Sequence, residues 1–475
     1  MITGSEMAVI DENAAALGVS RKQLMESSGN AVAEAVRDLA SPGDSVTILA
    51  GRGNNGGDAF VAARFLDAYE LRVSLLGRAE LIGTAIAREN WDALDAGEYD
   101  RREIRDSANV DLGDPDLIVD AMLGTGVSGA LREPVATAAG AINDHDAAVL
   151  SVDVPSGMDA ETGEVPEGAV HPDNVVTFHE TKPGLDALDA EVTVADIGIP
   201  AAAETFVGPG DLARLSRDPD SHKGDHGEIL VVGGGPYAGA PALSSQAALR
   251  AGADLVRVAC PESVADEVQG YSENLIVRPL AGEHLGPGHV GRITDLAADQ
   301  DVVVLGPGLG DSERALEAAA EILTEFTGTA VVDADPLRIV PELDTEATLV
   351  CTPHQGELAK MGGPREIDWR DRREAVAAFA AEIGHTLLVK GRYDIVSNGE
   401  RTRANRTGNP GMTVGGTGDV LAGVTGALAA RLEPTHAAGV GAYVTGRAGD
   451  LAADRWDEGL VATDLLDELP AAMRR

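Results

Sequence analysis

Apolar positions in this chain recur with two periods. From about Glu6 to Leu39 they fall at helical spacing, with Leu24, Met25, Val32 and Val36 on one face, which predicts two helices. The pattern then changes to short, continuous apolar runs: Val46–Ala50, Leu71–Leu76, Leu117–Ala121, Ala148–Val152 and Val175–Phe178. Runs of this length, rich in β-branched residues and separated by helical stretches such as Ala59–Tyr69, predict buried strands of a parallel sheet with helices on both faces. A polar, Pro-containing stretch, Gly208–Ser221, interrupts the series. The alternation resumes with Glu228–Val232, a small-residue helix over Ala240–Ala251, and further strands at Leu255–Ala259, Val302–Leu305, Ala330–Val332, Thr348–Val350 and Thr386–Lys390. The expected fold class is therefore α/β with two doubly wound domains, 1–215 and 216–475. The two halves are not repeats of each other.

Composition narrows this picture. A chain of 475 residues exceeds one ordinary core, and 44% hydrophobic residues mark it as globular. The formal net charge is −41; of 37 basic residues five are Lys, leaving 37 − 5 = 32 Arg. An acidic, Lys-poor chain with 3% aromatics has the character of a halophilic protein, in which salt screens self-repulsion. The same field argues against a nucleic-acid partner. No apolar run reaches membrane-spanning length, and Met1-Ile-Thr-Gly-Ser-Glu6 lacks the basic and apolar pattern of a secretory leader, so a cytoplasmic protein is expected. Cys260 and Cys351 have neither CxxC spacing nor a His cluster and are expected to be buried thiols.

The chemistry gathers where strands end. Gly51-Arg-Gly-Asn-Asn-Gly-Gly-Asp58 follows the first strand and meets the GxGxxG dinucleotide pattern, with Asn54, Asn55 and Asp58 adding side-chain oxygens which that pattern does not need. Asp120 ends the third predicted strand, and Ser151-Val-Asp-Val-Pro-Ser-Gly157 ends the fourth. Ligands of open α/β sheets bind at these ends, so Asn55, Asp120 and Ser156 are expected to converge. Three oxygen donors with one carboxylate suit a monovalent cation better than Mg²⁺. Taken singly, Asp120 could equally cap a helix and Ser156 could equally sit in a simple turn.

In the second half, Thr407-Gly-Asn-Pro-Gly-Met-Thr-Val-Gly-Gly-Thr-Gly-Asp-Val-Leu-Ala-Gly423 runs from a Gly-rich loop into an apolar helix. Gly415, Gly416 and Gly418 leave N–H groups unshielded at its N-terminus, an anion site suited to phosphate. Asp419 in the first turn would repel that anion unless it serves as a general base; the plain alternative is an acid suiting the helix dipole. Gly306-Pro-Gly-Leu-Gly310 allows close ligand approach, and His354 lies at a predicted strand end in Thr352-Pro-His-Gln-Gly-Glu357. Lys390, in a chain where Arg has almost replaced Lys, reads as a compact charge for a phosphate or nucleotide.

Residues Glu6 to Phe206 resemble the NAD(P)H-hydrate epimerase family, through Gly-Arg-Gly-Asn-Asn-Gly-Gly-Asp, Val119-Asp-Ala-Met-Leu-Gly-Thr-Gly126, Asp153-Val-Pro-Ser-Gly157 and Lys182-Pro-Gly-Leu185. The resemblance implies a Rossmann-like domain. It implies substrate contacts from Asn54, Asn55, Gly56, Gly57 and Asp58, from Gly124, Thr125, Gly126, Val127, Ser128, Gly129 and Ala130, and from Asp153. It also implies K⁺ held by Asn55, Asp120 and Ser156. Asp153 is the candidate acid/base, with Lys182 as a helper.

Residues 222–475 resemble the ADP-dependent NAD(P)H-hydrate dehydratase family, a ribokinase-like branch. The resemblance rests on His222-Lys-Gly-Asp225, Gly306-Pro-Gly-Leu-Gly310, Thr352-Pro-His-Gln-Gly-Glu357, Val389-Lys-Gly391 and Gly415-Gly-Thr-Gly-Asp-Val-Leu-Ala-Gly423. It implies hydrate contacts at Ala240, Gly308, His354 and Asp419, and nucleotide contacts at Lys390, Gly391, Arg392, Tyr393, Asp394 and Gly418. The cofactors implied are K⁺ and Mg²⁺, with ADP as co-substrate. Together the halves imply repair of hydrated NADH and NADPH: epimerisation at C6 of the nicotinamide, then dehydration of the S form at the expense of ADP, giving AMP, phosphate and NAD(P)H. A homo-oligomer is expected. The competing reading is a vitamin-precursor kinase of the ribokinase-like class fused to a non-catalytic binding module.

Overall fold

A computed structural model describes residues 1–474 except 127, 128, 216, 218, 366 and 367. The chain divides into two compact units, Met1–Ala203 and Glu204–Arg475. The division falls ahead of the polar stretch read as the linker. Phe206 bridges to Ala404, and the Arg403 guanidinium donates to the carbonyls of Glu204 at 3.0 Å and Phe206 at 2.6 Å and to the Asp211 carboxylate. These bonds tie 204–211 into the second unit.

The first unit opens with two capped helices. Thr3 and Glu6 form a capping box for Gly4–Ala16, and Ser20 and Gln23 form one for Arg21–Leu39. Its strands are β1 (Ser45–Ala50), β2 (Glu70–Leu76), β3 (Arg101–Ile104), β4 (Leu117–Ala121), β5 (Ala148–Val152), β6 (Asn174–Phe178) and β7 (Glu191–Ala195), all parallel in the order 3-2-1-4-5-6-7. The order reverses between β1 and β4, and the chains leaving those two strands diverge there. The edge strands β3 and β7 carry charge and no long apolar run, so the hydrophobic pattern did not reveal them.

One sequence expectation is corrected here. The helix after β1 spans Asn54–Arg64, not Ala59–Tyr69. Asn54 to Asp58, composed like a loop, form its opening turns. Gly56 allows this, because a Cβ there would lie 2.1 Å from Gly51 O.

The second unit holds β8 (Glu228–Val232), β9 (Leu255–Pro261), β10 (Ile276–Leu280), β11 (Val302–Leu305), β12 (Thr329–Val332), β13 (Thr348–Cys351), β14 (Thr386–Val389), β15 (Asp394–Ser397) and β16 (Thr402–Asn405). They lie in the order 10-9-8-11-12-13-14-15-16, parallel except at β14/β15 and β15/β16. One face carries the helices Gly239–Arg250, Thr417–Ala429 and Pro434–Trp456 over Val231, Val304 and Val350. The opposite face packs Ile322, Val376 and their neighbours on Leu230, Val303 and Leu349. The first two of those helices approach so closely that a Cβ on Gly423 would stand 1.9 Å from Ser244 O, which brings the start of Thr417–Ala429 over the strand ends. Cys260 and Cys351 are free and buried, and burial pushes their thiols up to about 11 and about 12.

Candidate active sites

In the first unit a cavity of about 1600 Å³ opens over the ends of β1, β2, β4 and β5. It is lined by Asn54, Asn55 and Asp58 from the helix after β1, by Gly124, Thr125, Gly126, Gly129 and Ala130 after β4, and by Asp153 after β5. Val127 and Ser128, also expected there, lie outside the described residues. Gly56 and Gly57 do not line the cavity. They back the helix onto protein, Gly56 onto Gly51 and Gly57 onto Met25 and Ala87.

Three carboxyl groups meet in this cavity. Asp58 is 8% exposed, and no hydrogen bond among the described residues holds its carboxyl. Burial, joined by the charges of Asp153 and Asp11, lifts its pKa well above the usual carboxylate range, which favours the protonated form. Asp153 adopts a left-handed backbone at φ 65°, a strained setting for a residue with a side chain. Its carboxylate lies 2.7 Å from Lys182 Nζ. The buried Lys182 spends its remaining donors on Thr177 Oγ1 at 2.7 Å and Phe178 O at 3.0 Å. It therefore fixes Asp153 rather than reaching a ligand. Asp11, from the first helix, was not singled out in the sequence. It lines the same cavity, and burial, only partly offset by Arg21, raises its pKa.

Asn55, Asp120 and Ser156 are joined through Leu123. Asn55 Nδ2 donates to Leu123 O at 2.8 Å, Leu123 N donates to Ser156 Oγ at 2.9 Å, and Ser156 Oγ donates to Asp120 Oδ1 at 2.6 Å. The fully buried Asp120 also accepts from Ser156 N at 2.8 Å, Ser151 Oγ at 2.9 Å and Met122 N at 3.2 Å. Burial raises its pKa against the pull of these bonds. Asn55 Oδ1 is a buried acceptor without a partner among the described residues. A spare amide oxygen, a serine hydroxyl and one buried carboxylate form a donor set that fits a monovalent cation.

In the second unit the predicted residues form a connected rim. A Cβ on Gly308 would lie 3.2 Å from that of Ala240, and one on Gly306 would lie 1.9 Å from Asp333 O. Asp333, buried just beyond β12, accepts from Thr352 Oγ1 at 2.7 Å and Lys390 Nζ at 2.9 Å. Glu357 Oε2 lies 3.8 Å from the same ammonium. Burial depresses the Lys390 ammonium, but Asp333, Glu357 and Asp419 more than offset it, so its pKa is raised. A Cβ on Gly418 would be 3.4 Å from Lys390 Nζ, which places the cation beside the first turn of Thr417–Ala429. Gly416 is that helix's N-cap at φ 98° and supplies no side chain, so the first N–H groups stay open. Burial first, then Asp333 and Glu357 against the pull of Lys390, pushes Asp419 up to about 7.

Two expected contacts also have structural work in this rim. His354 caps the helix Gln355–Lys360, its Nδ1 accepting from Gly356 N at 2.9 Å and Glu357 N at 3.1 Å. Its ring is 60% exposed, with Nε2 3.5 Å from Glu357 Oε1. Asp394 closes the turn after Lys390 by accepting from Gly391 N and Asn405 Nδ2, both at 2.9 Å, and burial pushes it up to about 6. Tyr393 stacks on Trp369 at 4.8 Å between centroids. Arg392 and Gly391 are exposed. Asp333 and the part played by Glu357 were missed in the sequence; the only signal was a carboxylate placed directly after an apolar strand.

A buried carboxyl beside a lysine-fixed carboxylate, and an open helix N-terminus with a carboxyl pushed up to about 7 in its first turn, place one candidate catalytic site in each α/β unit. Comparison with known proteins agrees. Residues 21–184 match the YjeF-related protein N-terminus family, and residues 229–471 match the NAD(P)H-hydrate dehydratase family. The chain is 44% identical to the bifunctional NAD(P)H-hydrate repair enzyme Nnr of Methanothermobacter thermautotrophicus, over 98% of this chain and 94% of the relative. It is 41% identical to the enzyme of that name from Archaeoglobus fulgidus, over 100% of this chain and 98% of the relative. A ribokinase-like superfamily protein from Enterococcus faecalis V583 matches in fold, with a TM-score of 0.50 and 24% identity, over 56% of this chain and 94% of that one. The chain belongs to the family of bifunctional NAD(P)H-hydrate repair enzymes. Likeness over the full length of that family favours this reading over a vitamin-precursor kinase joined to a silent module.

Proposed function

We propose that the chain returns hydrated NADH and NADPH to their active forms in two steps, one in each unit. In the first unit, Asp153 takes the proton of the C6 hydroxyl as the C6–N1 bond opens. The bonding pair goes to N1, which receives the Asp58 proton, and C6 becomes an aldehyde. Reclosure on its other face, with the protons returned, gives the opposite epimer. Lys182 holds the Asp153 carboxylate in place at 2.7 Å. Asn55, Asp120 and Ser156 would hold K⁺, which would supply a fixed positive charge.

In the second unit, Asp419 removes the C6 hydroxyl proton of the S hydrate as that oxygen attacks the β-phosphoryl group of ADP, and AMP leaves. The N1 lone pair then expels phosphate from C6 and a proton is lost from C5, which restores the dihydronicotinamide. Hydroxide leaves poorly and phosphate leaves well, so a kinase-like site suits a dehydration. Lys390 and the N–H groups from Gly415 to Gly418 cradle the phosphates. Ala240, Gly308 and His354 line the hydrate side, and residues 390–394 the nucleotide side. Mg²⁺, held mainly by water and ADP oxygens with Asp333 or Glu357 nearby, would neutralise the phosphates.

The observation that carries this reading is the placement of Lys390 beside Gly418, with Asp419 in the same helical turn at a pKa of about 7. The resemblance to the ADP-dependent dehydratase family supports ADP as phosphoryl donor; a homo-oligomeric state and a cytoplasmic location are further parts of the proposal. Among the described residues no helix is long and apolar enough to cross a membrane. The acidic composition is read as adaptation to salt. The test is to supply R and S hydrates separately with ADP or ATP and follow the near-ultraviolet absorbance of reduced nicotinamide. Recovery from S alone would leave the first unit without the proposed role, and no recovery would overturn the reading.

A further inference from the structure

We propose that Arg52 and Arg78 form a subsite for the 2′-phosphate of hydrated NADPH, which makes the first unit selective for that hydrate over hydrated NADH. This rests on the reading of the first unit as the hydrate epimerase. Its cavity, about 1600 Å³, exceeds the ~300–1000 Å³ of a typical small-ligand pocket and has room for a whole dinucleotide. Asp58 and Asp153 mark where the nicotinamide reacts. The opposite requirement, a place for the adenosine end, is met after β2. In doubly wound sheets a carboxylate near the end of the second strand binds the ribose 2′-hydroxyl, whereas an Arg there accommodates a 2′-phosphate. Here β2 ends at Leu76 and is followed by Gly77 and Arg78, with no acid at that point. Glu80 follows, but it does not line the cavity.

Arg52, at the end of β1, is laid over the same place. A Cβ on Gly77 would stand 2.9 Å from Arg52 Cδ and 3.3 Å from Nε. The Arg52 backbone is fixed by Gly83 N donating to its carbonyl at 2.9 Å. Both arginines line the cavity, and among the described residues neither guanidinium has a hydrogen bond or an ion pair. Both are left without an acid partner among the described residues, in a chain holding 78 acidic and 37 basic residues. Arg105, also on the lining, is by contrast held by Glu103 at 2.8 Å. Leu81, 55% exposed, lies on the lining close by and offers an apolar face to adenine. Two free guanidinium groups suit a phosphate dianion, which forms forked, charge-assisted hydrogen bonds.

The experiment uses the full chain with ADP and the R hydrates, whose recovery requires the first unit. The quantity read is the ratio of kcat/KM for hydrated NADPH to that for hydrated NADH. Arg78→Ala is expected to lower this ratio by about tenfold or more, the scale of a lost charge-assisted bond. Arg78→Lys should restore part of it. Adenosine 2′,5′-bisphosphate should inhibit recovery of R hydrates in the unaltered chain and do so about tenfold more weakly in Arg78→Ala. Equal losses for both hydrates would move these arginines to the pyrophosphate and overturn the proposal, as would an unchanged ratio. If the unaltered chain recovers only S hydrates, the parent reading fails. The subsite then stands or falls on whether the bisphosphate raises the melting temperature of the unaltered chain more than that of Arg78→Ala.

Discussion

Lys390 Nζ donates to Asp333 Oδ1 across 2.9 Å, and the two side chains are 19% and 5% exposed. The pair joins the ends of β12 and β14 and aims one ammonium at the start of the helix that bears Asp419. Removing one partner of a buried pair leaves the other charge uncompensated, typically about 3–5 kcal/mol. Lys390→Met is therefore expected to lower unfolding free energy by an amount of that order and to abolish ADP-dependent recovery of S hydrates. Adding Asp333→Asn should return much of the stability and none of the activity. Urea melts of the two variants, read beside their rates, check this; a single variant as stable as the parent chain would place the pair outside the interior.

Asp419 links activity and stability to pH with opposite signs. Its pKa rises from 3.8 to about 7 on folding. A base works only when ionised, so dehydration should fall as pH is lowered through about 7, approaching tenfold per unit below it. For stability, a raised carboxyl pKa means the folded state favours the protonated form. That contribution is complete below the unfolded value and is lost as pH rises through about 7. Rate profiles and melts across this window should cross, and a flat rate profile from weak acid to weak base would remove Asp419 as the titrating group.

How far the sequence anticipated these sites follows from where the information lies. Parallel strands buried on both faces announce themselves as apolar runs, so β1, β4 and β5 and the polar residues that follow them were readable. The helix Asn54–Arg64 was misplaced because two Asn and two Gly disfavour helix intrinsically; only the close approach of Gly56 to Gly51 shows why they are there. Strands β3, β7, β15 and β16 are short and carry polar residues. Asp333 reaches Lys390 from 57 positions away, and Asp11 faces the charge of Asp153 from the first helix, so neither had a local pattern. His354 was read as a ligand contact, and its role as a helix cap became visible only with the Gly356 and Glu357 amides in place.

The Asn55–Leu123–Ser156–Asp120 chain carries a prediction about cations. Asp120→Asn keeps the shape of the side chain but removes the buried charge. Recovery of R hydrates is expected to need higher KCl and to lose at least about tenfold in rate at low KCl, the scale of a lost ligating group, with S hydrates recovered as before. Replacing KCl by NaCl at equal ionic strength should reproduce the defect in the parent chain. Equal loss of R and S recovery would indicate misfolding instead.

The charge of −41 sets a further expectation. Self-repulsion opposes the compact state, and its range shrinks from about 30 Å at 0.01 M salt to about 3 Å at 1 M. Thermal midpoints should rise steadily from millimolar to molar KCl, and the ordered helices should melt out at the low end. Circular dichroism melts that coincide across that range would show that the acidic surface needs no screening.

Asp419→Asn isolates the chemistry of the second unit. The residue stands in the first turn of Thr417–Ala429, where open N–H groups and the positive end of the helix favour an anion. A carboxylate there works against phosphate binding, and burial with Asp333 and Glu357 already strains its ionisation. Asn keeps the size and hydrogen-bonding capacity but cannot accept the C6 hydroxyl proton. ADP should therefore bind at least as tightly, since a negative charge near its phosphates is gone, and calorimetry measures that directly. Recovery of S hydrates should fall by about 10²–10⁴-fold, the usual worth of a positioned general base, or roughly 3–5 kcal/mol of barrier. The first unit should continue to interconvert R and S hydrates, which chromatography of the mixed epimers reads without any reduced nicotinamide being formed. Loss of interconversion along with dehydration would point to a damaged fold. Dehydration that persists in Asp419→Asn would pass the role of base to another group on the same rim, with the exposed His354 ring as the next to be changed.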